Sequence, residues 1–330
     1  MPAHFGKYNY AICRRLSRGS ALSRDQANHS LTIDDETLAN NNGTTTSDGK
    51  TTKGKKNKNK SKKDAKKNNG NSETEPASSY EPIDFDSANE ELNNYIATLR
   101  MLNVDVIELC PDESLKYESV FVGDVAVTVN GLALLCRPRD RLDEINEVKQ
   151  IIKVELNLPI IEINDETALL NGGDVLWTGR EIFVGLSNET NESGARAVAA
   201  AFPEFSVTPV KVPPKDNLRL KSYITMAGPD ILCINRSQEA QSILRRMERE
   251  ASYNYKLITV DDDKASNVLY LNGTLIHRND LPNSVSVLQD KIDYSRVPVK
   301  ISELCKNNPY HGLDSLCLLV RKSHRIQTIV

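Results

Sequence analysis

The sequence predicts an α/β propeller of five ββα-like units arranged with pseudo-five-fold symmetry around a central axis. Three observations lead there. Four segments repeat the form strand, tight turn, strand at intervals of roughly 45–50 residues, within the period range of propeller-type arrays. Amphipathic helical patterns separate them, and the two ends of the chain each supply one more strand, which completes a fifth unit.

The elements follow in order. Tyr8-Asn9-Tyr10-Ala11-Ile12-Cys13 is a short strand that must pack on something further along, and a helical pattern follows at 89–102. The four hairpin segments are GDVAVTVNGLALLC from Gly123, GDVLWTGREIFVGL from Gly173, KSYITMAGPDILCI from Lys221 and SNVLYLNGTLIH from Ser266. Asn130-Gly131 and Asn272-Gly273 suit two-residue turns in which both residues take positive φ. Between hairpins, 141–154 carries Leu142, Ile145, Val148, Ile151 and Ile152 on one helical face, and 236–251 carries Ala240, Ile243, Leu244 and Met247. A last strand spans 315–321. In this architecture a ligand is expected at the axis.

Charge divides the chain. Residues 50–67 hold ten lysines and one acid, Asp64; elsewhere 32 basic residues face 44 acidic ones, although the formal net charge of the 330 residues is only −3. An acidic body is a poor candidate for wrapping nucleic acid. Residues 28–79, mostly Asn, Lys, Ser, Thr and Gly, lack apolar periodicity and read as a disordered insert within one domain. Residues 1–27 give the first strand, and 80–330 the rest of the same domain with a short tail. No apolar run approaches the roughly 20 residues of a membrane span, and the N-terminus lacks the apolar stretch of a secretory signal. Six cysteines without a CxxC pair read as reduced, mostly buried thiols in a cytoplasmic protein, with no metal site and no cofactor. The lysine run offers a contact for acidic partners or RNA. The ending Thr328-Ile329-Val330 has the form of a PDZ-domain ligand, set against the plainer reading of a solvated tail.

Several words of the sequence resemble one known family. They are FGKYNYAICR at the start, PDESL from Pro111, FVGDVAV from Phe121, NGGDVLWTGREIFVGLS from Asn171, LRLKSYITMAGP from Leu218 and GLDSLCLLV from Gly312. Together they resemble the dimethylarginine dimethylaminohydrolases (dimethylargininases), which have the amidinotransferase or pentein fold. The resemblance implies hydrolysis of N-methylated arginines to citrulline and a methylamine, in arginine and nitric-oxide metabolism. In that chemistry a cysteine thiolate attacks the guanidinium carbon, a histidine moves protons, and carboxylates hold the cationic substrate.

Carried over position by position, the resemblance implies a damaged site. The family's acidic residue before GGDV is Asn171, and its histidine in HLKS is Arg219, which cannot accept a proton at any working pH. None of the five histidines (His4, His29, His277, His311 and His324) lies in a family word that could replace it. At the nucleophile position an ungapped alignment places Leu316, and a one-residue shift places Cys317. Cys317 is therefore read either as the nucleophile or as a buried cysteine on a core strand. A thiol turned toward the axis favours the first reading; one turned toward the helical layer favours the second. Asp124 matches a guanidinium-binding aspartate, Glu118 lies near a second acidic position, and Arg141 stands where an arginine gripping the substrate carboxylate is expected. The expected function is an impaired or inactive relative that binds an arginine-like small molecule or a partner. The alternative is an active dimethylargininase using Cys317.

Overall fold

The computed structural model describes residues 6–19, 81–214, 218–308 and 310–322. The chain divides into two units, Met1–Leu22 with Pro82–Val330, and Ser23–Glu81. The lysine run, nearly all of the second unit and the Thr-Ile-Val ending lie outside the described residues.

The described residues form five three-stranded sheets. The chain begins with β1 (Tyr10–Arg14), helix α1 (Phe85–Met101) and β2 (Asp105–Leu109). The second sheet takes β3 (Ala126–Val129), β4 (Leu132–Leu135), helix α2 (Ile145–Gln150) and β5 (Ile160–Ile161). The third takes β6 (Val175–Trp177), β7 (Ile182–Leu186), α3 (Glu192–Ala201) and β8 (Val207–Lys211). A one-turn helix α4 (Leu220–Tyr223) introduces the fourth, with β9 (Ile224–Gly228), β10 (Ile231–Asn235), α5 (Gln238–Glu250) and β11 (Lys256–Val260). The fifth takes β12 (Leu269–Leu271), β13 (Thr274–Arg278), α6 (Pro282–Lys291) and β14 (Arg296–Val299). Finally β15 (Leu318–Val320) returns to pair antiparallel with β1, so both ends of the chain share one sheet.

The repeat is ββαβ, one strand longer than the ββα unit expected from sequence. In four sheets the middle strand pairs antiparallel with its hairpin partner, and in the first β1 pairs antiparallel with β15; in all five it pairs parallel with the strand after the helix. Those third strands are short edges and carry no clean alternation. β5 has two residues, and β8 and β14 contain Pro209 and Pro298, which an edge strand tolerates because one of its sides needs no ladder donor.

Local chemistry fixes the other elements much as expected. Asn130 and Gly131 take φ of 50° and 83°, and Asn272 and Gly273 take 50° and 89°, the left-handed values that a tight hairpin requires. Ser237 caps α5 by accepting from the Ala240 amide, and Ala240, Ile243, Leu244 and Met247 are buried along one face. Helix α1 starts four residues before the expected 89, because Asp84 accepts from the amides of Asp86 and Ser87. No described helix is long and apolar enough to cross a membrane.

The first strand of each hairpin, β3, β6, β9 and β12, joins β15 in lining one cavity of about 140 Å³. These five strands form the inner wall of the propeller. The stretches that enter them are short helical turns, Val122–Asp124, Gly172–Asp174, Leu220–Tyr223 and Asp263–Ser266, and the first three of these turns carry or adjoin the charged cluster described next.

Candidate functional site

Asp124 is the hub. It is fully buried at the end of its turn, with Oδ2 2.7 Å from Arg141 Nη1 and 2.8 Å from His311 Nε2, and Oδ1 2.5 Å from Arg219 Nη1. Burial alone would raise its pKa, but Arg219, His311 and Arg141 overrule that and hold the carboxyl well below its usual range. It is an anion shared between two arginines of its own chain.

Arg219 enters from the residue before α4. Its Nη1 also donates to Asn171 Oδ1 at 2.8 Å and its Nη2 to the Tyr310 carbonyl at 3.0 Å, and only 3% of the side chain is exposed. Gly173 leaves it that room, since a Cβ there would lie 2.5 Å from the guanidinium carbon. Asn171 is spent on structure: its Oδ1 accepts from the Gly173 amide as well as from Arg219. Asp174 holds the opposite side, accepting from Ser187 Oγ, Thr190 Oγ1 and the Leu220 amide, which fixes the backbone next to Arg219. Burial raises the Asp174 pKa to about 6 despite these donors.

Arg141 does not present the free guanidinium that a ligand carboxylate would need. It donates to both oxygens of Glu144, to Asp124 and to the Phe121 carbonyl. Burial opposes its charge, but Glu144 and Asp124 raise its pKa further. Glu118 lies half-buried on the turn Tyr117–Val120 that leads into Phe121.

Cys317 is buried, and its Sγ accepts from Tyr95 Oη at 3.1 Å. Tyr95 lies on the buried face of α1, so the thiol is turned toward the helical layer. Its backbone turns the other way, and a Cβ on Gly123 would lie 2.9 Å from the Cys317 carbonyl oxygen. Burial pushes the thiol pKa up to about 12, and Asp314 adds to this against the opposing Tyr95 bond. Leu316 is fully buried in the same core cluster.

His311 joins the cluster. It lies outside the family's histidine word, yet it donates from Nε2 to Asp124 and stacks on Phe121 at 3.7 Å. Its Nδ1 is buried with no partner among the described residues. Burial, then the Arg219 charge, lowers its pKa to about 3. The one signal that could have found it is its place directly before Gly312, in the last matching word.

A pH dependence follows. The folded pKa of His311 lies below its ordinary value of 6.5, so the unfolded chain takes up the proton first. The stability His311 contributes is complete above pH 6.5 and is lost as the pH falls toward 3. Relative to His311→Gln, the wild type is expected to lose up to about 1.4 kcal/mol per pH unit in that window, followed by urea unfolding at successive pH values. A difference that does not change with pH would contradict this protonation state.

No family model matches the chain. The proteins named Putative hydrolase DDAH2 from Homo sapiens and Bos taurus are each 40% identical over 230 residues, covering 66% of this chain and 79% of theirs. The N(G),N(G)-dimethylarginine dimethylaminohydrolase of Streptomyces coelicolor is 30% identical over 236 residues, covering 68% of this chain and 84% of its own. The chain belongs to the dimethylarginine dimethylaminohydrolase family. A citrulline complex of the Pseudomonas aeruginosa enzyme superposes with a TM-score of 0.66, covering 96% of this chain and 100% of that one. At 19% identity that likeness speaks for the fold alone.

Proposed function

We propose that this dimethylarginine dimethylaminohydrolase family member does not hydrolyse methylated arginines and acts by binding in the cytoplasm. The observation that supports this reading best is the Arg219–Asp124 ion pair, in which a guanidinium of the chain occupies the aspartate expected to hold the substrate's guanidinium. The family reaction also needs a proton acceptor and a thiolate. Arg219 stands in the acceptor's place and stays charged, and losing such a base costs about 10²–10⁴ in rate. The Cys317 thiol faces Tyr95 and is held protonated.

One observation favours the rival reading of an active dimethylargininase: the His311–Asp124 pair resembles a base with its orienting carboxylate. Two facts weigh against it. The Arg219 charge helps hold the His311 pKa near 3, far from the neutral range that suits a general base, and the free thiol it would serve is turned to α1. The test is citrulline release from asymmetric dimethylarginine by the pure protein beside the Streptomyces coelicolor enzyme. No release above the protein-free rate is expected, and Arg219→His alone should not restore it. Release at a comparable rate, abolished by Cys317→Ser, would establish the rival.

A further inference from the structure

The axial cavity is distinct from the Asp124 cluster: none of Asp124, Arg141, Arg219 or His311 lines it. Its floor comes from residues two to four positions ahead of the inner strands, Gly123, Gly172, Lys221 and Asp314. Asn267, the corresponding residue ahead of β12, ties the floor together by bonding the Lys221 carbonyl and the Asp314 carboxylate. The partition from the Asp124 cluster is backbone, since a Cβ on Gly172 would collide with the Gly123 carbonyl oxygen. The walls are apolar, with Val127, Leu176 and Met226 buried and Trp177, Leu269 and Tyr270 half-buried.

The polar groups on the floor are unevenly used. Asp314 accepts from Asn267 at Oδ1 and forms an ion pair with Lys221 at Oδ2, so each of its oxygens is engaged. The Lys221 ammonium has three N–H donors, and its one ion-pair partner among the described residues is Asp314, at 3.2 Å. What the floor has to spare is donors on a cation that is only 20% exposed. A pocket of apolar walls with one such group sets both the class and the orientation of its ligand. The volume of about 140 Å³ is close to that of a cavity of roughly 150 Å³ that holds benzene.

We propose that this cavity binds a small carboxylate with an apolar body, its carboxylate on Lys221 and its body between Val127, Leu176 and Met226. Aromatic and short branched-chain monocarboxylates match the volume. Asp314 stays paired with Lys221 and hydrogen-bonded by Asn267, so the incoming anion sits on the ammonium's opposite side.

Calorimetric titration of the full chain with benzoate, benzyl alcohol and benzylamine tests this. Benzoate is expected to bind with a dissociation constant of about 1 mM. Benzyl alcohol should bind at least about tenfold more weakly, having lost the charge-assisted bond, and benzylamine should not bind. Lys221→Met should abolish benzoate binding. Because that change also breaks the pair with Asp314, Leu269→Trp, which adds bulk to the cavity lining and leaves both Lys221 and Asp314 in place, is the second arm and should also abolish it. Absence of benzoate binding to the wild type, equal binding of the alcohol, or unaltered binding by folded Leu269→Trp would each overturn the proposal.

Discussion

Iodoacetamide is expected to alkylate Cys110 of the folded protein and to leave Cys317 unmodified over the same period, with rates at least about a thousandfold apart. The thiolate is the reacting species, and a thiol whose pKa is pushed up to about 12 is only about one part in 10⁴ thiolate at pH 8. Access adds to this, because Cys110 is exposed whereas Cys317 is 2% exposed with its sulfur against Tyr95. Peptide mapping by mass spectrometry after timed quenching reads both sites in one sample. The other buried thiols should follow Cys317; burial raises the pKa of Cys233 and of Cys305 to about 12 as well. Selective alkylation of Cys317 would mean that the sulfur reaches the axis as an activated nucleophile, and the scaffold reading would fail.

The second large effect is on stability. Asp124→Asn is expected to destabilise the fold by about 3–5 kcal/mol, the range for removing one partner of a buried ion pair. The cost arises from what remains. Arg141 keeps Glu144, but Arg219 is left with only the Asn171 and Tyr310 oxygens as neutral acceptors for a buried charge. The pair itself is a weaker source of stability than its short distances suggest, since desolvating both ions offsets their attraction. The double variant Asp124→Asn with Arg219→Met should therefore be more stable than Asp124→Asn alone. Urea unfolding of the four proteins in this cycle measures the coupling. Additive losses would show that Asp124 and Arg219 do not depend on one another.

Much of the propeller was legible because its hairpins announce themselves. Asn-Gly at 130–131 and 272–273 demands left-handed backbone, and α5 buries Ala240, Ile243, Leu244 and Met247 at helical spacing. The single helical face expected over 141–154 instead breaks into a 3-10 turn, the short α2 and a π-helical turn, with Val148 and Ile152 buried and Leu142 exposed. The parallel edge strands were not legible, because strands such as β8 and β14 bury few of their residues and contain proline. At the site, Asp124, Asn171, Arg219 and Arg141 could be named from sequence, and the structure gathers all four. What sequence could not convey was direction. A residue's identity shows that Arg219 is a cation, but only the fold shows its guanidinium on Asp124. His311 escaped for a related reason: 187 residues separate it from Asp124, and only ring closure brings them together. The orientation of Cys317 is likewise set by Tyr95, from a helix 222 residues away.

On the proposed function, the protein's own Arg219 fills the place where Asp124 would take a guanidinium from outside. Titration with guanidinium chloride at up to about 10 mM, far below denaturing concentrations, tests it most directly, because a ligand that binds only the folded state raises its melting temperature. Wild type should show no binding heat and no rise in melting temperature beyond that given by equal sodium chloride. Arg219→Ala, and Arg219→Gln beside it, should bind guanidinium and recover part of the stability lost with the side chain. Equal binding by the wild type and both variants would contradict the account, because Asp124 would then be open to an external guanidinium while Arg219 is in place.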